Sequence, residues 1–255
     1  MQDAIQTTTS VVRNWRICFI VASLCSTALL AGDDPPEDLL QRVAARESET
    51  ALAQSNFLYK QTVKIEEVND RGATVGAYQE VREIIFSPTQ ERSEQFVGKP
   101  LNTLFRLQMT EEDFRDIREI QPFLLTRDQK WSYQTKFRGE ETVDNVDCYV
   151  IRIQPRQILD GQRLFDGHVW VSKQDYSIIR SEGKAVPEIR REKSENLFPH
   201  FTTIRQKVDG GFWFPAVTYG DDTLDFRGGA QRIKMTIRYS DYKRFGSDSK
   251  VKYDK

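Results

Sequence analysis

The chain has 255 residues, and its 37 Lys and Arg against 38 Asp and Glu leave a formal net charge of −1. Both signs are interleaved along the chain, which argues against nucleic acid as a partner because phosphate neutralisation needs a clustered basic surface. Apolar residues make up 38% and aromatics 11% of the chain, enough for a sizeable core and against disorder over most of its length.

Arg13 and Arg16 precede Ile17 to Ala31, an apolar stretch with no charge and several small residues, which reads as a secretory signal. It falls short of the roughly 20 apolar residues that a spanning helix needs, and Asp33, Asp34, Pro35 and Pro36 follow at once. The expected organisation is a cleaved signal over residues 1–31 and a single domain over 32–255, with an uncleaved envelope anchor as the alternative. Leu24 before Cys25 argues against lipid attachment. Because Cys18 and Cys25 fall in the signal, Cys148 is left alone and no internal disulfide is expected. Its place in the strand-like run Asp147 to Pro155 predicts a small buried residue, not an activated thiol.

After the prolines, Leu39, Leu40, Val43, Ala44, Ala51 and Leu52 recur at helical spacing and predict an N-terminal amphipathic helix. Period two then takes over in Phe57 to Val68 and Thr74 to Ser87, which read as a hairpin across the turn Asn69-Asp70-Arg71-Gly72. A second helix is expected over Glu111 to Ile120, with acids in its first turn. Strands resume in Trp131 to Phe137 and Cys148 to Ile153, joined by a polar link, and Gly167 to Ser172 pairs with Ser177 to Gly183. The clearest hairpin joins Thr202 to Val208 with Phe212 to Tyr219 across Asp209-Gly210-Gly211, and Gln231 to Phe245 completes the sheet. The fold class is therefore mainly β (α+β): a curved antiparallel sheet of about ten strands closed by a few helices.

The order of these elements resembles the periplasmic carrier fold of LolA and LolB and of outer-membrane lipoprotein-sorting proteins. The resemblance rests on the helix before the first hairpin, on Cys148-Tyr149-Val150-Ile151-Arg152-Ile153-Gln154-Pro155, on Gly167-His168-Val169-Trp170-Val171-Ser172, and on Val208-Asp209-Gly210-Gly211-Phe212-Trp213-Phe214-Pro215. It implies a half-open barrel in the periplasm with an apolar cavity for acyl chains, and a lipid or a lipoprotein's acyl chain as partner, with envelope transport proteins beside it.

Catalytic chemistry finds little to work with. His168 and His200 are the two histidines, no HExxH or CxxC pattern occurs, and no glycine-rich loop has phosphate-cradling spacing, so no catalytic residue, metal or cofactor is assigned. Alternation puts His168 on the face of Trp170, a structural position. Asp221, Asp222 and Asp225 lack calcium-loop order and read as an acidic turn. The aromatics carry more. Period two places Trp131, Tyr133 and Phe137 on one face, with Tyr149 and Ile151 on a second strand and Phe212 and Phe214 on a third, and this set is the expected lipid-binding face. The functional reading is a non-catalytic periplasmic lipid or lipoprotein carrier. An envelope interaction or scaffold domain with a filled core, and an unrecognised hydrolase, are the alternatives.

Overall fold

Alternating apolar and polar residues build more than half of the described residues into strands, and an amphipathic segment into the longest helix among them. The computed structural model describes residues 35–87, 89–190, 195–208 and 211–245; the expected signal lies outside them. Helix α1 (Leu39–Gln54) leads into β1 (Phe57–Val68) and β2 (Thr74–Phe86), followed by the short β3 (Arg92–Phe96) and β4 (Leu101–Asn102). Helix α2 (Glu111–Arg115) runs on as a π turn over Asp116–Ile120, and a 3-10 turn over Gln129–Ser132 precedes β5 (Tyr133–Val143). Then come β6 (Val146–Pro155), β7 (Leu164–Ser172), β8 (Ile178–Val186), the two-residue β9 (Ile189–Arg190) and β10 (Glu195–Asn196), β11 (Phe201–Val208), β12 (Phe212–Phe226) and β13 (Gly229–Arg244).

Eleven of these strands form one antiparallel sheet in the order β3-β2-β1-β13-β12-β11-β8-β7-β6-β5, with β4 also on β2; the sheet does not close on itself. Its centre is set by register. Val63 lies opposite Ile237 and Ile65 opposite Met235, all four buried on the same face. A slip of one residue would turn this row to solvent, so the hydrophobic pattern holds the pairing. The main core lies on that face. It joins Val63, Ile65, Ile151, Ile153, Phe165 and Phe201 to Leu39 and Val43 of α1 and to Ile117 and Phe123 of the connection after α2. On the opposite face Cys148, Trp170 and Ile179 form a second, smaller cluster.

Several sequence expectations change here. Trp131 lies in the 3-10 turn and is 72% exposed, so it does not share a strand face with Tyr133. The polar link between Phe137 and Cys148 is mostly strand: β5 runs on to Val143 and turns in two residues, Asp144 and Asn145, both at positive φ, the geometry that suits a tight hairpin. Asp221, Asp222 and Asp225 are strand residues of β12 and not a turn. The Asp221 carboxylate takes two bonds from Arg232 across the strand pair, at 2.7 and 2.8 Å, and Asp222, on the side of buried Leu224, accepts the His200 backbone N–H. The short strands β3, β4, β9 and β10 carry too few residues for a periodic signal, and they raise the count above ten.

One buried ion pair ties α1 to the sheet. Glu47 and Arg205 (β11) meet at 2.9 Å with side chains 0% and 1% exposed. Glu47 Oε1 also accepts the Ile178 N–H, and Arg205 donates to the carbonyls of Ile178 and Phe123. Burial raises the Glu47 carboxyl above its usual range, against the opposing pull of Arg205. The two partners therefore differ in how they escape isolation, since a carboxyl can take up a proton whereas a guanidinium cannot lose one. Glu47→Leu is expected to cost about 3–5 kcal/mol in urea unfolding. Arg205→Met should cost less, and the double replacement should recover most of the loss.

Candidate functional site

The sequence leaves two irregular segments beside the sheet, residues 103–110 and 197–200, and between them and the strands lies a cavity of about 430 Å³, partly open to solvent. Its floor is the centre of the sheet, Ile65 of β1 and Ile233 and Met235 of β13, with Phe226 of β12. Leu107 and Met109 form one wall, and Leu197, Phe198 and Pro199 the other.

Each wall is seated by backbone chemistry. Glu67, buried at the end of β1, accepts the successive N–H groups of Phe105, Arg106 and Leu107 at 2.8, 2.6 and 2.5 Å. One carboxylate thus satisfies a turn of backbone donors that would otherwise be stranded. Beneath it, Gly76 leaves room: a Cβ there would stand 2.6 Å from both the Glu67 carboxylate and the Thr103 carbonyl oxygen. The second wall uses the same device, since a Cβ at Gly220 would stand 2.5 Å from the His200 carbonyl oxygen.

The polar residues of the cavity lining are Arg106, Gln108, Thr110, Asp113, Glu195 and Gln231. Thr110 and Asp113 close the start of α2 as a capping box, with Thr110 N–H and Oγ1–H donating to Asp113 Oδ2 at 2.7 and 2.8 Å. Asn196 donates to Asp113 Oδ1 at 2.6 Å, linking β10 to that cap. Burial pushes the Asp113 carboxyl up to about 6, its hydrogen bonds opposing.

None of the seven aromatic and aliphatic residues expected to bind lipid lines this cavity. Tyr133, Phe137, Tyr149 and Ile151 do come together on one face of the β5–β6 hairpin, with Phe137 and Tyr149 edge to face at 6.2 Å. There Tyr133, Tyr149 and Ile151 are packed into the main core, while Phe137 is 36% exposed. Phe212 and Phe214 stack on each other at the start of β12, and Phe214 meets Phe57 and Tyr242. Trp131 stands apart in solvent.

The cavity floor was legible in part. Ile233 and Met235 belong to an alternating run, Gln231 to Tyr239, whose buried members are separated by Arg232, Lys234, Thr236 and Arg238. A polar residue at a buried place of such a run is a signal, and Glu67 and Gln231 are two of them. The walls had no periodicity to read.

Cys148 is buried as expected, and burial pushes its thiol up to about 11, away from thiolate chemistry. His168 lies on the Trp170 face, ring centroids 6.5 Å apart. Among the described residues no group of three or more His, Cys, Asp and Glu is placed to hold a metal ion, and no helix is long and apolar enough to cross a membrane.

No protein-family model matches the chain, and no curated protein matches its sequence. Among solved structures it is similar to a DUF1329 family protein from Desulfovibrio piger, at 14% identity and a TM-score of 0.39 over 85% of this chain and 95% of that one. It is also similar to a LolA superfamily protein from Nitrosomonas europaea, at 15% identity and 0.38 over 84% and 97%. A third is an outer membrane lipoprotein-sorting protein domain from Vibrio parahaemolyticus, at 11% identity and 0.36 over 80% and 93%.

The raised Asp113 pKa gives a signed expectation. Its native form holds a proton more tightly than the unfolded chain does, so its contribution is present in full below about pH 4 and lost as pH rises through about 6. The loss is about 3 kcal/mol. Asp113→Asn should remove this part of the slope of unfolding free energy between those pH values, measured against wild type by denaturant titration.

Proposed function

We propose that this protein is a non-catalytic binding protein of the bacterial envelope, reached through its N-terminal signal, that carries lipid or lipoprotein acyl chains. The observation that carries the reading is the cavity over β1, β12 and β13. Its volume of about 430 Å³ falls within the range of about 300–1,000 Å³ found for small-molecule sites, which combine an apolar lining with a few polar groups. Ile65, Leu107, Met109, Leu197, Phe198, Ile233 and Met235 supply the apolar lining, and Arg106, Gln108, Thr110, Asp113, Glu195 and Gln231 supply polar groups. That combination suits a ligand with an apolar tail and a polar head.

The energetics are adequate. Each methylene withdrawn from water contributes about 0.8 kcal/mol before the cost of ordering the chain, so a partly inserted tail binds without strong recognition of its head. Phe137, Tyr149 and their neighbours on β5 and β6 form the other face on which an acyl chain could be sought, and a mutational contrast separates the two.

The test is titration with the uncharged dye N-phenyl-1-naphthylamine, whose fluorescence rises in apolar surroundings. Wild type should give saturable binding. Leu107→Lys brings a charge into the apolar wall and should weaken binding at least about tenfold, whereas Phe137→Glu should bind as wild type does. Weakening by Phe137→Glu alone would move the site to the β5–β6 face. Absence of saturable binding would favour an interaction or scaffold domain.

A further inference from the structure

We infer that the cavity sorts ligands by the charge of their head group, accepting amphiphiles whose head is cationic or a neutral hydrogen-bond donor and rejecting free carboxylates. This rests on the reading that an apolar chain enters the cavity, and it concerns the polar end of that chain.

Three charged side chains line the cavity: Arg106, Asp113 and Glu195. Arg106 is the cation that an anionic head would seek, but it is already engaged. Its terminal nitrogens donate to the carbonyls of Gly228, Gly229 and Ala230 and to Gln231 Oε1 at 2.9 to 3.2 Å, so both ends of its guanidinium fork are occupied. Glu195 is balanced in turn. It accepts the Arg227 backbone N–H at 2.9 Å and pairs with Arg190 at 3.4 Å.

Asp113 differs from both. Among the described residues its hydrogen-bond donors are all neutral, being Thr110 N–H, Thr110 Oγ1–H and Asn196 Nδ2–H. Arg163, the cation nearest in influence, gives its guanidinium to Asp116. With a pKa of about 6 the Asp113 carboxyl is ionised at neutral pH. Among the described residues, then, the cavity presents one carboxylate without a cation in hydrogen-bond contact. A second carboxylate placed beside it in a partly desolvated site is repelled, an ammonium is attracted, and a hydroxyl or amide N–H can donate to it. Gln108, exposed on the same wall, adds an amide that suits a neutral head.

The experiment displaces bound N-phenyl-1-naphthylamine with decylammonium, decanol and decanoate, matched in chain length, at about pH 7.5 where both charged heads are fully ionised. Decylammonium should displace the dye at a concentration at least about tenfold below decanoate, and Asp113→Asn should bring the two within about threefold. Equal displacement, a preference for decanoate, or an undiminished gap in a folded Asp113→Asn overturns the inference while the cavity reading stands. No saturable dye binding overturns both. Should Asp113→Asn fail to fold, wild type decides by salt: raising ionic strength from about 0.05 to about 0.5 M should shrink the gap, and a gap indifferent to salt overturns the inference.

Discussion

The arrangement of this protein depends on the ion pair between Glu47 and Arg205, buried where α1 lies against the sheet. An open sheet exposes one apolar face, and that face is stable only when something covers it. Here α1 covers part of it, but its apolar residues alone would allow the helix to slide or rotate, because hydrophobic contact has little directionality. The pair removes that freedom. Its bonds reach Ile178 on β8 and Phe123 after the π turn as well as β11, so one contact fixes the helix, two strands and a connection together. Withdrawing two charges from water offsets much of their attraction. Its contribution is therefore placement more than net stability.

The same logic recurs wherever irregular chain meets the sheet. Arg163, buried before β7, grips the Asp116 carboxylate of the π turn and the Pro187 carbonyl. Glu67 gathers three backbone N–H groups of the cavity wall, and Arg106 in that wall takes hold of the β12–β13 turn. These segments lack the periodic apolar side chains that anchor a strand or helix. Directional bonds to buried charge do that work instead, with Gly76 and Gly220 supplying the clearance. The cavity exists because two such segments are held over apolar strands without filling the space between them.

Much of the secondary structure was legible, and for one reason: strands facing a core on one side repeat every two residues. The hairpins β1–β2, β7–β8 and β11–β12 and helix α1 lie where the apolar spacing puts them. The errors fall where a local signal was weak or contradicted. Acidic residues at 221, 222 and 225 suggested a turn, yet β12 continues through them: the exposed Asp221 pairs with Arg232 across the strands, and Asp222, on the side of Leu224, accepts a backbone N–H. Trp131 extended an apparent alternation that the backbone breaks one residue later, at Ser132. The aromatic face was read correctly as far as Tyr133, Phe137, Tyr149 and Ile151 share a side of their hairpin. Whether such a face borders space or is filled depends on what packs over it, and periodicity does not encode that.

The sequence by itself determined the class of fold, the faces of the strongly alternating strands and the burial of Cys148, because these follow from spacing along the chain. Only the tertiary structure decided that α1 is fixed through Glu47 to a residue 158 positions away, and that residues 103–110 and 197–200 face each other across β13. It also decided that Asp113 lines a cavity and, among the described residues, takes hydrogen bonds only from neutral donors. The physical reason is that alternation reports on which side of the sheet a residue stands, whereas a cavity is a relation among segments distant in sequence, set by long-range pairing and by the bonds that hold loops off the strands beneath them.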